Sequence, residues 1–259
     1  MSQTLPSALK KLDAIKNLLR NKQVIIFLDY DGTLTPIVER PEWAQLSDKM
    51  RNAVKNLSER YRVAIVSGRD LNDIRHLVAI EGLLYAGSHG FDISGPDGDM
   101  ELQQGADYLP ALALAQKTLT NALAKIPGIQ IERKKFAIAV HFRRADMEDV
   151  PTVENIVDTT VAKTPGLRKT GGKMIFELRP DIDWDKGKAL LWILAQLGLD
   201  NDRVCPIYIG DDLTDEDAFC ALQTRGVAIL VSDDQRPTAA GYVLKDPQEV
   251  GLFLQKLKS

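Results

Sequence analysis

The sequence predicts an α/β protein: a doubly wound, mostly parallel sheet interrupted by a smaller inserted α+β unit. Three observations carry this. Short apolar runs alternate with amphipathic stretches over the first and last thirds of the chain, the pattern of parallel strands joined by helices. A Gly, Pro and Asp cluster, "SGPDGD" at 94–99, breaks that rhythm, which resumes from Lys186. Three of the apolar runs end on polar tails, "DYDGT", "SGR" and "GDDLTDED", as strands do where their carboxyl ends open on a ligand crevice.

In chain order, residues 24–28, "VIIFL", read as a buried strand. A helix over about 47–60, the strand "RVAIVSG", a helix over about 70–79 and the strand "GLLYAG" complete a βαβαβ half. The cluster at 94–99 reads as a linker. Beyond it come a helix near 107–125, the strand "AIAVHFR", a helix near 149–163 and the strand "KMIFELR". The parallel pattern returns with a helix from Lys186 to about Leu197, "VCPIYIG", a helix near 215–223, "GVAILV" and a last helix from about Pro247. This organisation assigns 1–95 and 181–259 to a discontinuous core and 96–180 to the insertion.

With 259 residues, 44% of them hydrophobic, the chain should remove roughly three quarters of its unfolded surface from water, ample for a core. The net charge is −3 and the 33 Lys and Arg residues are spread along the chain, so nothing suggests a nucleic-acid or membrane surface, and a small molecule is the expected partner. Cys205 and Cys220 lack metal-ligand spacing and read as reduced core residues. No apolar run approaches the ~18 residues of a membrane span, and Met1 to Asn21 has no signal-peptide core, so a cytoplasmic chain is expected. Asn56-Leu57-Ser58 fits a glycosylation acceptor only by chance, inside an expected helix.

The acidic tails carry the chemistry. Asp29 and Asp31 are two apart and project to one side if the backbone stays extended. Asp211, Asp212 and Asp215 add carboxylates, and a hard divalent cation bound through oxygen, Mg²⁺ first, would relieve their repulsion. An EF-hand loop from Asp29 fails, because Leu34 and Arg40 stand where Gly and Glu are needed. "TGGKM" fails as a phosphate loop, with Leu167 and Met174 at its required positions.

Four ordered motifs, "DYDGT", the strand ending in Ser67, Lys186 of "DKGKA" and "GDDLTDED", resemble those of the haloacid dehalogenase superfamily of aspartyl-phosphate phosphatases. The flanking "SGR", "AGSHG", "ERKKFAIAVHFR", "GGKMIFELRP" and "DKGKAL" are similar to those of the trehalose-6-phosphate phosphatases; the similarity spans nearly the whole chain and is weakest over 1–22 and 97–130. The resemblance implies a Rossmann-like core of the haloacid dehalogenase type with an inserted α+β cap. It implies Mg²⁺-dependent hydrolysis of trehalose 6-phosphate through an aspartyl-phosphate.

By the same resemblance Asp29 is the nucleophile, a carboxylate already ionised near pH 7, and Asp31 is the acid and then the base. Ser67 and the N–H groups near Gly32 and Gly68 would bond the phosphoryl oxygens, with Lys186 adding positive charge. The metal would meet Asp29, the Asp31 carbonyl and Asp211, with Asp215 orienting its water shell or Lys186 and Asp212 doing either. Arg69 and His89 would approach the substrate, while Glu132, Lys134, Arg143, Lys173 and Glu177 would hold the sugar hydroxyls. His141 reads as a packed residue and Arg179 as structural. Alternatives are another capped sugar-phosphate phosphatase or phosphomutase, and a non-catalytic regulatory module; functional coupling to a sugar-phosphate synthase is a further expectation. A receiver domain is disfavoured by the insertion and by Asp31 beside Asp29.

Overall fold

Apolar runs flanked by amphipathic helices bury both faces of a sheet, and this dictates how the elements of the computed structural model are laid out. It describes residues 5–38, 40–96, 98–172, 174–234 and 236–258. In chain order the elements are α1 (Leu12–Leu19), β1 (Gln23–Leu28), α2 (Asp48–Ser58), β2 (Arg62–Val66), α3 (Leu71–Val78), β3 (Leu84–Gly87), β4 (Asp92–Ser94) and β5 (Glu101–Gln103). There follow α4 (Leu109–Leu123), β6 (Gln130–Arg133), β7 (Ile138–His141), α5 (Val150–Ala162), β8 (Leu167–Gly172) and β9 (Ile175–Pro180). The chain ends with α6 (Lys186–Gln196), β10 (Val204–Gly210), α7 (Glu216–Leu222), β11 (Val227–Val231), β12 (Tyr242–Leu244) and α8 (Pro247–Lys258). Two units result, Met1–Leu102 with Trp184–Ser259, and Gln103–Asp183.

In the first unit the strand order is β12-β11-β10-β1-β2-β3-β4-β5. The six strands from β12 to β3 run parallel, and β4 returns antiparallel to β3. The continuous apolar run of β1 follows from this placement, because alternate residues serve two cores. Ile26 and Leu28 pack with α2, α3 and α8, whereas Ile25 and Phe27 pack with α6 and α7. The chain leaves β1 toward β2 and later returns to β10 on the other side of β1, so the order reverses at β1, where α/β sheets open a crevice at the strands' carboxyl ends.

The second unit is a four-stranded antiparallel sheet, β6-β7-β9-β8. One face is covered by α4 and α5, through Leu112, Leu119, Val153, Val157, Ile138, Val140 and Leu178. Alternation places Glu132, Ala139, Glu177 and Thr170 in register on the opposite face.

The structure corrects two expectations. The cluster at 94–99 is not a free linker: Ser94 closes β4, and the Gly95 N–H donates to the Met100 carbonyl at 2.7 Å just before β5. Cys205 is buried as expected, but Cys220 is exposed, because its position on α7 points away from the core that Ala218, Phe219 and Leu222 enter; both thiols are free. β5, β6 and β8 carry little apolar signal because each is an edge strand, where short polar sequences are tolerated and guard against edge pairing. Among the described residues, no helix is long and apolar enough to cross a membrane.

Candidate active site

Parallel pairing sets Leu28 beside Ile209, so the residues after β1 and β10 emerge side by side at the switch point. Asp29, Asp211 and Asp215 meet there with ligand oxygens within 4.8 Å of one another. Asp29 and Asp215 are buried, at 5% and 0% exposure. Lys186 is 3% exposed and opens α6, whose N-cap Asp185 accepts the Lys188 N–H. Its Nζ donates to Asp29 Oδ1 at 2.8 Å and to Asp215 Oδ1 at 2.7 Å.

Burial and crowding dominate the electrostatics. Burial drives the Asp29 carboxyl well above the usual range; Lys186 opposes this, and Asp215 and Asp211 add to it. Asp211 is pushed up to about 7, by burial and then by Asp215. Burial alone would depress the Lys186 ammonium, yet Asp215 and Asp29 outweigh it and hold it raised. Carboxylates crowded in this way suit a hard cation, which takes oxygen ligands and competes with protons for them.

Asp215 has little left to offer such an ion. Its Oδ1 accepts from Lys186 and, at 2.7 Å, from the Tyr208 hydroxyl; its Oδ2 accepts the N–H groups of Asp211 at 3.0 Å and Asp212 at 2.9 Å. A carboxylate has about four acceptor positions, and all are used. The donor set that fits a cation is therefore Asp29 with Asp211, and Asp215 is the hub that holds the loop after β10.

Gly32 is required by sterics. It has φ +83°, and a Cβ there would sit 2.0 Å from Asp211 Oδ2. Its N–H, expected to bond phosphate, donates to the Thr35 carbonyl at 2.8 Å. The Asp31 side chain is turned to Arg69, whose Nε and Nη2 hold its two oxygens at 2.7 and 2.8 Å. Arg69 also bonds Asp73 and the Pro41 carbonyl and lies 5.5 Å over the Tyr30 ring. Asp212 is exposed, and its side chain caps the short turn 213–215 by accepting from the Leu213 N–H at 2.7 Å. Neither Asp31 nor Asp212 brings its carboxylate into the group of three among the described residues.

Ser67, fully buried at the end of β2, accepts the Arg69 N–H at 3.2 Å. His89 sits in a turn where both it and Ser88 have positive φ, 57° and 50°, a strain that clusters at functional positions. Its imidazole crosses Gly68 so closely that a Cβ on Gly68 would lie 2.7 Å from it. The structure thus brings Asp29, Lys186, Asp211 and Asp215 together and sets Ser67, Gly68, Arg69 and His89 along the neighbouring strand ends.

In the second unit Lys134 pairs with Glu177 at 3.1 Å and Glu132 with His141 at 2.9 Å, a polar cluster on the open sheet face. Arg143 is exposed in the turn after β7, and Lys173 lies outside the described residues. His141, read from its apolar neighbours as packed, is in this cluster; alternation within β7 carries that signal, since Ile138 and Val140 face the helices. Sequence reasoning missed three further residues. Tyr208 reaches Asp215, Thr33 donates to Asp211 Oδ1 at 3.4 Å, and Arg236 clamps the Asp211 and Asp212 carbonyls, each at 3.1 Å. Thr33 adjoins a motif, whereas nothing in the sequence ties Arg236 to a loop so far before it.

Comparison with known proteins is consistent with this arrangement. Trehalose-phosphate phosphatase B of Arabidopsis thaliana is 42% identical over 97% of this chain and 71% of its own length. The C-terminal domain of C. albicans trehalose-6-phosphate phosphatase superposes with a TM-score of 0.80 at 25% identity, covering 100% of this chain and 99% of that one. A trehalose-6-phosphate phosphatase related protein gives 0.79 at 27% identity over 90% and 96%. With residues 27–248, which contain every motif above, matching the trehalose-phosphatase family model, the chain belongs to the trehalose-phosphatase family and is a phosphoric monoester hydrolase.

Proposed function

We propose that this chain hydrolyses trehalose 6-phosphate to trehalose and phosphate, with Mg²⁺ as its cation and Asp29 as the nucleophile. The observation that carries the proposal is the Lys186 ammonium bridging Asp29 and Asp215 in a buried site at the switch point. Lys186 holds Asp29 Oδ1 and lowers the barrier electrostatically where phosphoryl charge gathers. Burial raises the Asp29 carboxyl and Lys186 opposes that rise; in its ionised form an Asp29 oxygen attacks phosphorus, the bond from phosphorus to the sugar oxygen breaks, and an aspartyl-phosphate forms. Asp31 gives its proton to the departing sugar oxygen, then takes one from the water that cleaves the aspartyl-phosphate. Arg69 occupies both Asp31 oxygens, so this transfer requires the pair to open and Asp31 to take up a proton from solvent first; an incoming phosphoryl group offers Arg69 another anion. Asp29 and Asp211 would hold Mg²⁺, which neutralises negative charge on the transferring group.

Ser67, the strand-end backbone near Gly68 and His89 complete the phosphoryl end of the site in this proposal. The inserted unit acts as the cap, and Glu132, Lys134 and Glu177, with Arg143 and Lys173, hold the disaccharide hydroxyls. A substrate of this kind comes from a sugar-phosphate synthase, so functional coupling to one belongs to the same proposal. The test is phosphate release from a panel of sugar phosphates, with and without Mg²⁺. Trehalose 6-phosphate should have the highest kcat/KM, and chelation should abolish turnover. Another sugar phosphate turned over faster, phosphate moved within the sugar rather than released, or full activity in excess chelator would each overturn it.

A further inference from the structure

Tyr208 lies on β10, three residues before Asp211, with its ring in the core under α6 and α7. It is fully buried, stacked on Phe27 at 6.5 Å and edge-on to Phe219 at 5.8 Å. Close packing between these two rings holds the tyrosine ring in place. A buried tyrosine hydroxyl needs a partner, and a nearby backbone carbonyl would satisfy it. Here it donates instead to Asp215 Oδ1 at 2.7 Å, the same oxygen that receives Lys186 Nζ at 2.7 Å. Nζ in turn spans from Asp215 Oδ1 to Asp29 Oδ1.

We propose that Tyr208 is a positioning residue for phosphoryl transfer: its hydroxyl fixes Asp215 Oδ1, and through that oxygen it sets Lys186 against Asp29. The proposal rests on the phosphatase reading above for its consequence in turnover, while the geometric link stands without it. Two N–H groups of the loop after β10 pin Asp215 Oδ2, so Tyr208 and Lys186 are the two donors that determine where Oδ1 points. Without the hydroxyl, Lys186 is the one donor left to Oδ1 among the described residues. The carboxylate then draws the ammonium toward itself and away from Asp29, weakening the charge at the nucleophile without touching substrate.

Tyr208→Phe tests this, because it keeps the ring and its packing. With p-nitrophenyl phosphate and with trehalose 6-phosphate, kcat should fall by about 10- to 100-fold, the range spanned by a lost hydrogen bond to a charged group. KM should stay within about twofold on both. A merely structural hydroxyl would lower thermal stability and leave kcat near the parent value. In the Asp215→Asn background the same change should add little, because both act through one oxygen; independent, multiplying losses overturn the link. A readout that needs no turnover is the Nζ resonance of Lys186 in ¹⁵N-lysine-labelled protein, assigned by its absence in Lys186→Arg. It should shift in Tyr208→Phe, and an unchanged resonance overturns the proposal even if no tested sugar phosphate is a substrate.

Discussion

At the scale of the residue, the site is governed by how few charges are neutralised by how few partners. Asp29→Asn keeps the shape and removes the nucleophile, so turnover should become undetectable while the folded variant still binds substrate in calorimetry; normal phosphate release would reject Asp29 as the attacking group. The shift on Asp211 makes a pH prediction. Its folded-state carboxyl keeps a proton up to about 7, against roughly 4 when unfolded. Its contribution to the stability of the metal-free protein is therefore complete below about pH 4 and is lost as pH rises through about 7. A cation must displace that proton, so the rise in Tm on adding Mg²⁺ should be larger at about pH 8 than at about pH 5. Equal shifts in thermal melts at the two values would show that Asp211 does not hold the ion.

At the scale of the element, the decisive pieces are loops whose backbone leaves no room. β1 and β10 were legible because each is a continuous apolar run, and a strand buried on both faces has no other sequence solution. The turn after β1 is less forgiving than its "DGT" composition suggests. Gly32→Ala would add strain at φ +83° and drive a methyl into Asp211. Displacement of a site carboxylate by about 1 Å costs on the order of 100-fold in rate. The expected result is a folded protein with circular dichroism like the parent's, kcat/KM down by at least that factor, and weaker Mg²⁺ binding. Retained activity would mean that the loop and Asp211 move independently.

At the scale of the whole molecule, two units divide the labour in the proposed function, phosphoryl chemistry in one and sugar recognition in the other. Lys134→Ala and Glu177→Ala should lower kcat/KM on trehalose 6-phosphate by about 1.5 to 3 kcal/mol each. Activity on p-nitrophenyl phosphate, which has no sugar, should hardly change. Because Lys134 and Glu177 pair at 3.1 Å and Glu177 is buried, each single change already removes the bond between them, so the double variant should lose less than the sum. Equal losses on both substrates would assign these residues to folding or closure of the site instead.

The sequence by itself determined the alternation that builds the parallel sheet, the insertion between its halves and the ordered motifs at the strand ends, because periodicity and short-range spacing are local properties. It placed Asp29, Lys186, Asp211 and Asp215 at strand and helix ends and so in one crevice. Only the tertiary structure decided what each carboxylate does there. Asp215 is saturated by four donors, Asp31 is held by Arg69, Asp212 caps a turn, and Tyr208 and Arg236 reach the site from a core strand and a distant loop. Three of these partnerships, Asp31 with Arg69, Lys186 with Asp215 and Arg236 with the Asp211 carbonyl, join residues far apart in the chain, and in all of them hydrogen-bond geometry, not residue type, selects the partner.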